Sequence, residues 1–193
     1  RQALGLPENK KIVGCFGRIR PQKGTDLFVD ALIQLIPKYP EWCGIITGRA
    51  TESFLGYQNE LKKKIENAGL SDQIIFLGEV DDIERYYAAL DLFIAPQRWE
   101  GFGLTPLEAG ACGIPTLAAD VGAFSEIILP QKTGMIIEPD NIDNLTTALE
   151  LYLQNPDMLD QQAQEVFKHV TRSFALESEA QKLIDIYHSL INK

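Results

Sequence analysis

Pro96-Gln97-Arg98-Trp99-Glu100-Gly101-Phe102-Gly103-Leu104-Thr105-Pro106-Leu107-Glu108-Ala109 is the stretch on which the fold of this chain turns. It follows an apolar run, Leu92-Phe93-Ile94-Ala95, that stops like a buried strand, and it finishes inside a helical pattern, so it reads as a strand-to-helix loop. Open α/β sheets bind their ligands at such loops. Two glycines flank Phe102, which lets the backbone approach a bulky ligand, and two carboxylates, Glu100 and Glu108, stand on either side of the helix start. Thr105, Pro106 and Glu108 also spell a capping box with proline at the first helical position, which gives Glu108 a second reading as a residue that only closes its helix. Glu100 has no such duty, because no rule of secondary structure asks for a carboxylate in a glycine-flanked loop.

The same strand-loop-helix order repeats on both sides of this stretch. Ile12-Val13-Gly14-Cys15-Phe16 is a short buried strand, followed by the loop Gly17-Arg18-Ile19-Arg20-Pro21-Gln22-Lys23-Gly24 and a helix that Thr25 is expected to cap and that Pro37 and Pro40 end. Cys43-Gly44-Ile45-Ile46-Thr47 is a second strand, turning at Gly48 into a mostly polar helix over 52–68 closed by Gly69. Ile74-Ile75-Phe76-Leu77 is a third, leaving through Gly78-Glu79-Val80 to a short helix capped by Asp81 or Asp82. Beyond the opening stretch, Pro115-Thr116-Leu117-Ala118 and Gly134-Met135-Ile136-Ile137 read as strands five and six, and helices alone follow over 141–153, 156–170 and 176–191. Strands alternating with helices predict an α/β fold, a Rossmann-like doubly wound parallel sheet with a helical C-terminal segment, formed as one domain over 1–193. Residues 1–11 read as a polar connection, resembling a cut through an interdomain linker.

A net charge of −9 opposes binding to nucleic acid, since the phosphate backbone would be repelled over most of the surface, so any phosphate site must be local. No apolar run approaches the ~20 residues of a spanning helix. Cys15, Cys43 and Cys112 lie in apolar surroundings without metal-ligand spacing and read as reduced core thiols of a cytoplasmic protein.

In a parallel sheet the exits of strands one to four share one edge. The first delivers Arg18 and Lys23, a planar fork and a point charge suited to a diphosphate, or else two solubilising cations in a solvated loop. The third delivers Leu77, Gly78, Glu79 and Val80, which could face a flat heterocycle. The fourth delivers Glu100 and the backbone of Gly101, Phe102, Gly103 and Leu104 at a helix N-terminus, where free amides favour an anion. Glu108, one turn on, would accept hydrogen bonds from ribose. His169 and His188 fall on the C-terminal helices, far in sequence from every strand exit, and read as surface or partly packed residues. The pattern fits a nucleoside diphosphate bound without metal.

Glu100 and Glu108 with their flanking residues resemble the paired-glutamate motif of retaining, nucleotide-sugar-dependent glycosyltransferases of GT-B fold, in particular glycosyltransferase family 4. The resemblance covers nearly the whole chain, as the C-terminal, donor-binding half of such an enzyme. It implies a donor site of Gly17, Arg18, Lys23, Gly48, Leu77, Gly78, Val80, Glu100, Gly101, Phe102, Gly103, Leu104, Thr105 and Glu108. Glu100, Arg18 and Lys23 would lie nearest the reaction, with no metal or cofactor. Ala95 to Glu100, together with Val121-Gly122-Ala123-Phe124, looks most like lipopolysaccharide core mannosyltransferases, which implies GDP-mannose as donor and a lipid-linked saccharide as acceptor. The acceptor would be bound by an N-terminal domain that these residues do not include, in a cytoplasmic enzyme peripheral to the inner face of the cytoplasmic membrane. The isolated chain is then expected to fold without transferring sugar. Two rivals remain: a nucleotide-binding or regulatory module of Rossmann type, and half of a nucleotide-sugar epimerase of the same fold.

Overall fold

The computed structural model describes residues 1–191; the last two residues of the expected 1–193 unit lie outside the described residues. Six strands, β1 (Lys11–Phe16), β2 (Trp42–Thr47), β3 (Ile74–Gly78), β4 (Leu92–Ala95), β5 (Thr116–Ala119) and β6 (Gly134–Ile137), form one sheet in the order β3-β2-β1-β4-β5-β6. Every pairing is parallel. Parallel strands need crossovers, and these are α1 (Thr25–Leu35), α2 (Leu55–Asn67), α3 (Ile83–Ala88), α4 (Thr105–Ala111) and the single-turn α5 (Phe124–Ile127). The chain closes with α6 (Ile142–Gln154), α7 (Pro156–Ser173) and α8 (Leu176–Ile191).

Because strand side chains alternate between faces, β4 sends Leu92 and Ile94 into one core and Phe93 and Ala95 into the other. The first core packs the sheet against α1, α2 and α6, through Phe28, Leu32, Leu61 and Leu149. The second packs it against α3, α4 and α5, through Tyr87, Ala109, Phe124 and Ile127. Helix α7 lies over α4, and Gly110 gives it room: a Cβ there would sit 2.6 Å from the Val170 side chain. The central helix is thereby held between the sheet and α7. No residue of α8 is buried, and Leu183, Ile184 and Tyr187 are exposed along it. Among the described residues no helix is long and apolar enough to cross a membrane.

Residues 1–10 are fastened to the sheet and do not trail away as a loose connection. Gln2–Leu4 is a 3-10 turn, and the Arg1 guanidinium donates to the carbonyls of Ala89 and Lys10 and to Asp91 Oδ2 at 2.8–2.9 Å. The expected caps differ in three places. Thr25 is the first helical residue of α1, and the junction is taken by Gly24 at φ 69°, where a Cβ would meet the Pro96 carbonyl oxygen at 2.0 Å. Asp82 precedes α3 in a left-handed conformation and makes no side-chain cap. Thr105 is likewise the first residue of α4, preceded by Leu104 in helical conformation, and its hydroxyl is buried without a partner. An N-cap side chain reaches the N3 amide only from an extended backbone, so the capping box does not form. Asn141 does cap α6, its side chain accepting from the Asn144 amide at 3.0 Å.

Candidate functional site

β1 and β4 are neighbours in the sheet, yet β1 leads outward to β2 and β3 while β4 leads to β5 and β6. The two exit loops diverge at this reversal and leave a crevice beyond the strand ends, the place where doubly wound sheets take ligands. A cleft of about 340 Å³ lies there. Its walls are Phe16, Gly17 and Arg18 after β1, Thr47, Gly48, Arg49 and Thr51 after β2, Glu79, Val80, Ile83 and Tyr87 after β3, and Thr105 and Glu108 after β4.

Gly48 closes the floor. At φ 122° its amide donates to the Gly78 carbonyl at 2.7 Å, and a Cβ would lie 1.9 Å from the Gly17 carbonyl oxygen, so only glycine lets these two exits touch. Arg18 stands exposed at the rim, and Arg49 and Glu79 pair across the mouth at 3.4 Å. Val80 lines the cleft, whereas Leu77 packs on the core beneath it and Gly78 contributes the carbonyl that Gly48 holds.

Glu108 is exposed in the cleft wall, and its Oε2 accepts from the Tyr87 hydroxyl at 2.8 Å. Tyr87 is buried against Phe16 and Phe93, with ring centroids 4.9 and 5.2 Å away. Burial first, then the Glu108 carboxylate, push its phenol well above the usual range and keep it a donor. Glu108 is thus oriented by a rigid aromatic cluster and does no capping work.

Lys23 and Glu100, read separately in the sequence, are one ion pair. Neither residue is among those lining the cleft, and both side chains are 17% exposed. Glu100 also accepts from the Gly101 amide at 3.1 Å through Oε1. Burial alone would raise the Glu100 carboxyl, but Lys23, the Gly101 amide and the nearby charge of Arg20 outweigh it and hold the carboxyl below the ordinary value. Gly101, Phe102 and Leu104 lie exposed beside the pair. The β5 exit props this loop from behind: Phe124 fills the space against Gly103, and Gly122 sits where a Cβ would be 2.3 Å from the Gly101 carbonyl oxygen.

A second ion pair joins the first turn of α1 to the β4–α4 loop. Arg98 grips Asp26 with two hydrogen bonds of 2.8 Å, and Tyr57 donates to Asp26 at 2.8 Å. No local pattern pointed to this pair, whose members are 72 positions apart. Tyr87 carried a faint signal, because Ile83 and Tyr87 are one helical turn apart and both face the cleft. His169 is half-buried, its Nε2 3.1 Å from the Ile127 carbonyl, and His188 lies on exposed α8. All three cysteines are free.

The model of the family described as glycosyl transferases group 1 matches residues 1–169. The chain belongs to this family. Lipopolysaccharide core biosynthesis mannosyltransferase LpsB of Rhizobium meliloti (strain 1021) is 48% identical over 193 residues, covering 99% of this chain and 55% of that protein. LpcC of Rhizobium leguminosarum bv. viciae, of the same description, is 44% identical over 98% of this chain and 53% of its own length. This group 1 chain therefore spans about half the length of the curated relatives it matches. Among solved structures, the C-terminal domain of a glycosyl transferase group 1 family protein (LpcC) from Francisella tularensis superposes with a TM-score of 0.85 at 35% identity, with 91% of each chain covered. Anabaena HepE in complex with UDP gives 0.89 at 28% identity, covering 98% of this chain and 51% of that one. The group 1 chain thus has the Rossmann-like α/β architecture of the C-terminal half of a GT-B glycosyltransferase.

Proposed function

We propose that this chain is the donor-binding half of a retaining glycosyltransferase, that it holds a nucleoside diphosphate sugar at the reversal between β1 and β4, and that the donor is GDP-mannose. The carrying observation is the sorting of charge at that edge. Glu108, fixed by Tyr87, faces the cleft; Arg18 stands at its rim; the Lys23–Glu100 pair ties the β1–α1 loop, which also carries Arg18, to the β4–α4 loop. In this reading the nucleoside occupies the cleft with its ribose on Glu108, the diphosphate reaches Arg18 and Lys23, and the sugar lies against Glu100 and the Gly101–Leu104 backbone. The cations would stabilise the charge that grows on the departing diphosphate, with no metal needed for that role. Glu100 would orient the sugar.

Mannose is favoured by the two mannosyltransferase relatives at 48% and 44% identity, against the UDP complex of HepE at 28%. A lipid-linked saccharide would be the acceptor, bound by a preceding domain, in an enzyme working at the inner face of the cytoplasmic membrane. Calorimetry with GDP-mannose, GDP, UDP-glucose and UDP tests the donor. The expected order places GDP-mannose and GDP ahead of both uridine ligands, with GDP-mannose tighter than GDP. Preference for UDP-glucose would overturn the donor, and equal binding of GDP and GDP-mannose would favour a plain nucleotide-binding module. No transfer by this chain alone is expected, because in this reading the preceding domain holds the acceptor; measured transfer would refute that.

A further inference from the structure

We infer that Arg98 is a positioning residue: by clamping the β1–α1 loop to the β4–α4 loop it sets the Lys23–Glu100 pair in place for the diphosphate and sugar, an inference that rests on the donor site proposed above. The two loops are zipped at successive points. The Arg98 amide donates to the Gln22 carbonyl at 2.9 Å, the Gln22 side chain donates to the Trp99 carbonyl at 3.1 Å, and Gly24 lies in contact with the Pro96 carbonyl. Surface loops are among the more mobile parts of a fold, and a side-chain clamp restricts them further. The Arg98 side chain is such a clamp. Its Nη1 and Nη2 hold the two oxygens of Asp26 at 2.8 Å, Nη1 also donates to the Pro21 carbonyl at 2.6 Å, and Nε donates to Asp140 at 2.7 Å.

Four of the five guanidinium N–H groups are thereby used, and they join the exits of β1, β4 and β6. Asp26 is fixed from its other side by the Tyr57 hydroxyl of α2. Burial would raise the Asp26 carboxyl, but Arg98 and Tyr57 hold it below the ordinary value, so the clamp stays charged. Asp26 follows Lys23 by three positions and Arg98 precedes Glu100 by two, so the two pairs join the start of α1 and the loop before it to the β4–α4 loop at neighbouring points. Lysine cannot replace Arg98, since one ammonium cannot satisfy a bidentate carboxylate, a carbonyl and a second carboxylate in a single plane.

The test uses Arg98→Lys, Asp26→Asn and the double variant of this chain. In the absence of ligand, amide hydrogen exchange at positions 98 and 101–103 is expected to quicken while the amides of β1 and β4 keep their protection. With ligand, GDP and GDP-mannose are expected to bind about tenfold more weakly, the ratio that corresponds to ~1.4 kcal/mol of lost preorganisation. Guanosine, held on the Glu108 side, should change by less than about twofold, and the double variant should bind no worse than the weaker single variant, as for two halves of one device. Equal losses for guanosine and GDP-mannose would reduce Arg98 to a general stabiliser and overturn the proposal, as would multiplying losses in the double variant. If the parent chain bound none of these ligands, the donor assignment would fall. The clamp would then be judged by exchange alone, where unchanged rates in the loop overturn it and faster rates confined to the loop uphold it.

Discussion

Glu108→Gln is the substitution that divides the readings of the central stretch most sharply. In the folded chain one Glu108 oxygen accepts from the buried Tyr87 hydroxyl at 2.8 Å, and Glu108 lines the cleft, so its other oxygen is free to meet a ligand there. Glutamine can keep the Tyr87 bond by presenting its carbonyl there, so Tyr87 is not orphaned and stability should fall by less than about 1 kcal/mol. Its amide nitrogen then points where the carboxylate oxygen was, and a ribose hydroxyl loses a charged acceptor. A hydrogen bond to a charged group contributes roughly 1.5–3 kcal/mol and a neutral one about 0.5–1.5, so the expected loss is ~1–2 kcal/mol, or about 5- to 30-fold in Kd. Calorimetry should show this loss alike for GDP and GDP-mannose. It should vanish for 2′,3′-dideoxy-GDP, which binds the parent weakly and has no hydroxyl left to lose. If Glu108→Gln bound GDP like the parent, or lost GDP and the dideoxy compound equally, Glu108 would not be the ribose contact.

Arg18→Ala should weaken GDP by about 1.5–3 kcal/mol, a lost charged hydrogen bond, and leave guanosine nearly untouched; equal losses would move the diphosphate elsewhere. Glu100 has a carboxyl held below its ordinary value of 4.5. Its pairing therefore stabilises the fold fully above about pH 4.5 and is lost as pH falls through the lowered value. The Tm gap between the parent and Glu100→Gln should accordingly shrink on acidification below pH 4.5, and a gap that widened there would contradict the pairing with Lys23. Gly48→Ala places a Cβ 1.9 Å from a carbonyl oxygen at φ 122°, and urea denaturation should register a loss above about 2 kcal/mol; a silent change would mean the cleft floor is slack.

The sheet was legible because its signal is local. The six strands are short apolar runs, the first four of them ended by glycine or proline, and the observed bounds differ from the expected ones by one residue at most. The one-turn α5 escaped notice because four residues show no helical period. The caps failed for a tertiary reason: Gly24 takes the start of α1 because Pro96 crowds it, and no reading of the loop by itself contains Pro96. At the site, residue types were legible and partnerships were not. Lys23 with Glu100, Glu108 with Tyr87, and Arg98 with Asp26 are separated by 77, 21 and 72 positions, and such pairs are settled only when two strand exits come together.

The Lys23–Glu100 contact also bears on what the resting site refuses. Each partner occupies the other, so a neutral hexose arriving alone meets an acceptor already engaged and brings nothing to release it. A ligand that carries its own anion can draw the ammonium away and leave the carboxylate for sugar hydroxyls. If the donor binds as proposed, the contact would act as a latch whose key is the diphosphate, and mannose or glucose by itself should show no binding at millimolar concentration. Where free hexose outnumbers activated donor, such a latch would keep the proposed site from filling with unactivated sugar.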